Sequence, residues 1–419
     1  MGFIGVQPAS IPLTSSDIAD GVITKSKIAN DAVDNTKLDL TDDYAFSGTI
    51  TGAGQSLRPN SKPLIINGNM AVAQYGTSDT NYSNASLVVD RIKGIADGLG
   101  SSGSVLTGSQ STDAPTGFEK SFKLEVTSAG GLDSADNRFA IETKLEHQDV
   151  SKFFDNNAMT LSFYVKSSLA DTFAVGISRN NQNTSSGGNL YIANYTISSA
   201  NTWQQVVINI PTSSTTTGET ANATGVSLEW FIDVKSGGSR TGASLGWNDT
   251  TTAVQINSAA ADNGFFNATN TWFITGVQLE VGTYTSATLP SFQHESFGDN
   301  LRRCARYFQQ IGDNPAISDS ATDGGHRLSN GMRGGSNSTD FNCLLHLIGP
   351  MRASPTISTT NVNVRQDGNS KGLVSIDQVR VHGSHIQIEC TADSGLSVSN
   401  AVQLRFTGGS GNMKLAAEL

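Results

Sequence analysis

Large apolar and polar side chains alternate, or gather into short β-branched and aromatic runs, through most of residues 64–293. The clearest runs are LSFYVKS (161–167), TFAVGISR (172–179), LYIANYTIS (190–198), WQQVVINIP (203–211), VSLEWFIDVK (226–235) and WFITGVQLEV (272–281). A period of two puts every second side chain on one face of a strand. Turn-forming text separates the runs, as in RNNQNTSSGGN (179–189) and KSGGSRTGASLGWNDT (235–250). Gly, Asn and Ser favour chain reversal there. Strands in succession with no helix between them predict an antiparallel sandwich, with a jelly roll as the expected form.

The period changes at FGDNLRRCARYFQQIG (297–312), where Leu301, Cys304, Tyr307 and Phe308 fall on one helical face. Asp299 or Asn300 could cap a helix there and Gly312 could stop it, so 294–312 is read as a connecting helix. Alternation then returns in FNCLLHLIG, SPTISTTNVNVRQ, GLVSIDQVRVHG, HIQIECTA and VQLRFTG, which predict a second small β-domain over 313–419. The stretch 312–340 reads as a long polar loop. The predicted class is all-β, with one helix between two β-domains.

The start of the chain has a different rhythm. In DIADGVITKSKIANDAVDNTKL (17–38) the aliphatics Ile18, Ile23, Ile28, Val33 and Leu38 recur every five residues. Five suits neither a helix nor a flat strand. One aliphatic in five also buries too little to offset an ordering cost of about 1–2 kcal/mol per residue. Three parallel copies change that balance, because each aliphatic then meets its equivalents across an axis. Residues 16–63 are therefore read as a trimeric stalk ending in a Gly/Ser/Pro joint. A disordered linker that arose by duplication is the other reading. Residues 1–15 carry Phe3, Ile4, Val6, Ile11 and Leu13 in otherwise polar surroundings, the pattern of a segment that docks on a partner.

Only 15% of the 419 residues are charged and the formal net charge is −10. Ser, Thr, Asn and Gly supply the solvent face instead. An acidic balance argues against nucleic acid as a partner, since phosphate binding calls for clustered Lys and Arg. No run reaches the roughly 18 apolar residues of a spanning helix, so membrane insertion is not expected. The opening MGFIGVQPAS has neither the basic nor the apolar part of a secretory signal. Cys304, Cys343 and Cys390 show no metal-ligand spacing and fit thiols made in a reducing cytoplasm.

Two phrases carry a resemblance. LIINGNMAVAQYGTS (64–78) followed by VVDRIKG (88–94) keeps Asn67, Gly68, Asn69, Gln74, Gly76, Thr77, Asp90 and Arg91 of a recurrent opening motif. GVQLEVGTYTSATLPSFQHESFGDNLRRCARYFQ (276–309) keeps Gln278, Leu279, Glu280, Gly282, Asp299, Leu301, Arg303, Cys304, Arg306 and Tyr307 of its closing counterpart. GPMRASPTIS and the final KLAAEL also match. The chain resembles the bacteriophage tail-fibre and virion β-sandwich family, departing from it at Met70, Ala73, Tyr75, Gln293 and Glu295. The resemblance implies a virion structural protein of the phage tail, joined to other tail proteins through its amino-terminal end.

Candidate chemistry is sparse. No G-x-S-x-G, H-E-x-x-H or P-loop occurs, and no carboxylate pair stands in an apolar setting, so an enzyme is not expected and neither a metal nor another cofactor is called for. Asp233 in WFIDVK reads as a strand residue turned to solvent, and His382 and His385 in VHGSH as a polar turn. Trp203, Trp230 and Trp272 read as core. Trp247 lies in loop text where a ring could stack on a sugar or plug a trimer contact. His326, Arg327 and Arg333 in the 312–340 loop could bond sugar hydroxyls or an anionic glycan, or could be plain solvated side chains. The expected function is a homotrimeric tail fibre that binds host surface glycan without cleaving it. A decoration protein without receptor binding and a glycan-degrading spike are the alternatives.

Overall fold

The computed structural model describes residues 51–52, 55–56, 62–99, 103–154, 157–179, 189–212, 224–238, 244–249, 259–312, 327–333, 339–397, 400–406 and 411–419. The chain divides into two units, 1–52 and 53–419. The docking residues Phe3, Ile4, Val6, Ile11 and Leu13 lie outside the described residues. So do the stalk residues Ile18, Ile23, Ile28, Val33 and Leu38.

After the two-residue strands β1 (Thr51–Gly52) and β2 (Gln55–Ser56), the chain lays down β3 (Ser78–Asp79), β4 (Lys93–Asp97), β5 (Val105–Ser111), β6 (Ser121–Ser128) and β7 (Arg138–Glu146). Helix α1 (His147–Phe154) follows, then β8 (Met159–Ser167), β9 (Thr172–Arg179), β10 (Asn189–Thr196), β11 (Gln204–Ile210), β12 (Thr224–Val234), β13 (Gly246–Asp249) and β14 (Thr271–Val281). These strands make two six-stranded sheets, in the orders β13-β10-β9-β12-β7-β4 and β11-β8-β14-β6-β5-β3. The fold is an all-β antiparallel sandwich. Alternation decides which side chains fill it. On β8, Leu161, Phe163 and Val165 enter the core shared by the sheets, while Ser162, Tyr164 and Lys166 take the other face. Phe163 meets Trp230 edge-on at 5.8 Å between ring centres, one of the arrangements aromatic pairs prefer.

The run VSLEWFIDVK is nearly continuous in apolar character because β12 is covered on both faces. Leu228, Trp230 and Ile232 join the sandwich core, while Phe231 and Val234 pack with Ala140, Ala174 and Ile192 in a second cluster outside it. Helix α1, unforeseen among the strands, follows β7 directly.

The expected helix over 294–312 is much shorter. Helix α2 spans Phe297–Cys304, and β15 (Phe308–Gly312) follows it. Its cap is Ser296, whose Oγ accepts from the Asp299 N–H at 3.2 Å while its hydroxyl donates to the Asp299 carboxylate at 2.6 Å. That reciprocal pair leaves Asn300 free to turn inward. The helix stops at Cys304, a turn carries the buried Tyr307, and from Phe308 the backbone bonds pass to the last strand of the chain, with β15 paired along Phe308↔Ala416 to Gly312↔Asn412.

The remaining strands are β16 (Arg327–Arg333), β17 (Asp340–His346), β18 (Thr356–Thr360), β19 (Val362–Gln366), β20 (Asn369–His382), β21 (His385–Ala392), β22 (Ala401–Phe406) and β23 (Asn412–Ala416). Six of them close a barrel in the order β16-β17-β21-β20-β19-β22, and β15-β23-β18 form a three-stranded sheet. Phe341, Cys343, Leu345, Ile386, Ile388, Cys390, Val402 and Leu404 fill the interior. Strand β16 corrects the reading of 312–340 as one long loop: edge pairing with β17 and β22 draws its polar sequence into the barrel wall. All three cysteines are buried thiols outside any disulfide.

Candidate functional site

The two motif phrases meet, and what they build is a joint that ties the sandwich to α2 and to the segment after β23 of the three-stranded sheet. Asn67 donates to the carbonyls of Val72 and Asp90 at 2.9 Å each, and its N–H donates to Asn300 Oδ1 at 3.1 Å. Arg91 pairs with Glu418, donates to the Lys144 carbonyl at 2.5 Å, and lies 3.6 Å from the centre of the Tyr307 ring. Arg306 and the Tyr307 hydroxyl both bond the buried Glu146 carboxylate, at 2.6–2.8 Å. Burial pulls the Glu146 pKa upward, but the bonds from Arg306 and Tyr307 outweigh it and hold the group below its ordinary value. Glu295, a departure from the family pattern, pairs with Arg303 at 2.6 Å. These side chains are consumed by one another.

The buried carboxylates are likewise engaged. Burial raises the Asp90 pKa to about 6, although Gln74 bonds it through backbone and side chain at 2.6 Å. Asp233 is only 3% exposed, not turned to solvent as its alternation suggested. The register shift between Phe231 and Asp233 turns it inward, where it accepts from the Gly264 and Phe266 N–H groups at 3.3 and 3.2 Å. Burial pushes its pKa up to about 7. Both groups serve the backbone around them.

A groove lies on the outer face of the sheet that contains β8 and β14. The β8–β14 pairing slips between Thr275 and Gln278, and Gly276 at the slip has φ +62°. A β-carbon there would stand 2.6 Å from a Phe118 ring carbon and 2.9 Å from one of Tyr164. Glycine is therefore required twice, for the backbone and for the rings above it. Phe118 sits at the centre of an aromatic cluster, 5.4 Å from Tyr164, 5.0 Å from Phe292 and 5.3 Å from His294. A turn closed by the Phe118 N–H on the Pro115 carbonyl at 3.0 Å carries it over the sheet.

Two open clefts flank these rings. One, of about 410 Å³, is lined by Tyr164, Phe292, Ser162, Gln205 and Gln278; the other, of about 370 Å³, by Asn69, Glu119, Lys120, Glu295 and Phe297. Gly117, Phe118 and His294 border both. Ring faces beside amides and hydroxyls match a ligand with both C–H faces and hydroxyl edges.

The residues singled out from the sequence are not in this groove. Trp247 lies on the edge strand β13, half-buried, with its indole N–H on the Pro211 carbonyl at 2.8 Å and its ring 5.4 Å from Tyr191. It has a packing partner that the loop text did not reveal. Arg327 and Arg333 are the first and last residues of β16, so they share a barrel strand, not a loop; His326 lies outside the described residues. Trp230 and Trp272 are fully buried, whereas Trp203 is half-buried, with its N–H on Asp113 at 3.1 Å and its ring 6.0 Å from Phe273. His382 and His385 stack at 5.7 Å across the β20–β21 turn, and no metal-holding group occurs among the described residues. No helix among them is long and apolar enough to cross a membrane. Sequence reasoning passed over Phe118 in PTGFEK and Phe292 in LPSFQH. Each was an aromatic in turn text, the signal that had drawn attention to Trp247.

No family model matches the chain, and no curated protein does. Solved structures do align with about half of the chain. A provisionally assigned sugar-binding protein of Bacteroides thetaiotaomicron matches at 14% identity and TM-score 0.30, over 52% of this chain and 100% of that one. The enzymatically active domain of tailspike protein 4 from bacteriophage CBA120 matches at 15% identity and TM-score 0.26, over 50% of this chain and 22% of that one. The family 11 carbohydrate-binding module of a Clostridium thermocellum cellulase matches at 10% identity and TM-score 0.26, over 50% and 97%.

Proposed function

We propose that this chain is a glycan-binding structural subunit of a bacteriophage tail fibre, holding its ligand without cleaving it. The observation that carries the binding is the Phe118-centred groove, where Tyr164, Phe292 and His294 surround a ring seated by Gly276. The tail-fibre context rests on the resemblance of the opening and closing phrases. On this reading residues 1–15 dock on other tail proteins, the repeat joins three chains, and the particle carries three grooves whose weak affinities reinforce one another. The non-enzymatic reading is supported by the carboxylates: the two raised toward neutral pH, Asp90 and Asp233, are bonded to their own surroundings. Glu295, at the groove, is held by Arg303.

The test is affinity electrophoresis of the intact protein against soluble bacterial lipopolysaccharide O-chains and capsular polysaccharides, with reducing ends assayed in parallel. Retardation by at least one polysaccharide, lost on Phe118→Ala and without release of reducing ends, is the expected result. Steady release of oligosaccharide would overturn the non-enzymatic reading, and the absence of any retardation would overturn glycan binding.

A further inference from the structure

The two clefts border the same three residues, so they are successive parts of one groove and not separate sites. A cavity of about 150 Å³ already holds a benzene-sized ring, so clefts of about 410 and 370 Å³ each admit at least one sugar ring. Both are open to solvent, which lets a chain continue past either one. A site for a chain end is built differently, with a wall against the terminal ring and donors placed on its extra hydroxyl. Phe118 and His294 stand between the clefts and reach into both. The smaller cleft is also lined by Phe297, 61% exposed at the first position of α2. An apolar ring so exposed on the lining of the cleft offers a second place for a sugar face.

Resting on the glycan reading above, we infer that the groove recognises an internal run of a linear glycan, at least two rings long, that straddles Phe118. The larger cleft takes a neutral ring, since no Asp, Glu, Lys or Arg lines it. The smaller cleft, with Glu119, Lys120 and Glu295 at its edge, takes the next ring and tolerates an ionic substituent of either sign.

The test uses the polysaccharide that most retards the intact protein, cut by mild acid into fragments of one to six rings, with titration calorimetry as the readout. The expected result is an affinity gain of about tenfold or more between one ring and three, which is about 1.4 kcal/mol or more. Borohydride reduction of the terminal ring of a six-ring fragment should leave its affinity unchanged. Phe297→Ala should shrink the gain from the shortest fragment that binds to the six-ring one, with the melting temperature preserved. A single ring binding as tightly as six, or loss of binding on reduction of the chain end, would overturn the inference while glycan binding stands. Failure of every polysaccharide to bind would overturn both.

Discussion

Arg91 and Glu418 form a buried ion pair across 327 positions of sequence, with 3% and 19% of their side chains exposed. The pair fastens the end of the chain to the sandwich. Arg352 secures the same segment by donating to the Ala417 and Glu418 carbonyls at 3.0 Å each. Removing one partner of a buried pair leaves a charge uncompensated, at a cost of about 3–5 kcal/mol. Glu418→Ala should therefore destabilise the protein by ~3 kcal/mol, the lower end because Glu418 is partly exposed. Urea denaturation followed by tryptophan fluorescence measures it. An unchanged midpoint would show that the Glu418 side of the joint contributes nothing.

Asp233 should make stability depend on pH in the sense opposite to an ion-paired carboxylate whose folded pKa is lowered. Its folded pKa is raised from 3.8 to about 7. Below the unfolded pKa both states are protonated and the contribution is fully present. As pH rises through the interval the unfolded chain releases its proton first, and the contribution is lost by the time the folded pKa is passed. Asp90, raised to about 6, acts with the same sign, and Glu146 with the opposite one. Comparing wild type with Asp233→Asn isolates the group. Between pH 4 and pH 7.5 wild type should lose more stability than the variant, by on the order of 2 kcal/mol. Parallel pH profiles would show that Asp233 is not held neutral.

Gly276→Ala should damage the groove more than the fold. A non-glycine residue at φ +62° costs about 1–2 kcal/mol, and its β-carbon displaces the Phe118 and Tyr164 rings. The expected outcome is a folded protein with a modestly lower melting temperature, altered near-ultraviolet circular dichroism and no retardation by polysaccharide. Binding at wild-type strength would place the ligand elsewhere.

The five-residue repeat makes a prediction about assembly. Light scattering on the eluting protein should give three times 44.0 kDa. Replacing Ile18, Ile23, Ile28 and Val33 with Ser should weaken the trimer, because each buried aliphatic contributes about 1.5–3 kcal/mol. A monomeric wild type, or a variant trimer of undiminished stability, would count against a trimeric stalk.

Much of the sandwich is legible in the sequence because alternation is a local property. Leu161, Phe163 and Val165 sit two apart, and any antiparallel pairing sends them to one face. The same holds for Phe341, Cys343 and Leu345 in the barrel. Burial of Trp230 and Trp272 follows from the apolar text around them. What the sequence by itself could not decide depended on partners far along the chain. Residues 308–312 carry a helical pattern of apolar positions, yet they become a strand because β23, a hundred residues later, offers backbone bonds and a buried place for Phe308. Asp233 alternates as a solvent-facing residue, but the slip in β12 and the Phe265–Asn267 turn bury it and supply its bonds. The motif side chains became a joint when Arg91 met Glu418 and Asn67 met Asn300. The groove is the clearest case. Phe118, Tyr164, Gly276 and Phe292 belong to four separate segments, and the β8–β14 pairing, with its slip at Gly276, together with the turn that carries Phe118, brings the three rings over one patch of sheet. Side-chain period determines which face a residue takes; the pairing of distant strands determines what that face meets.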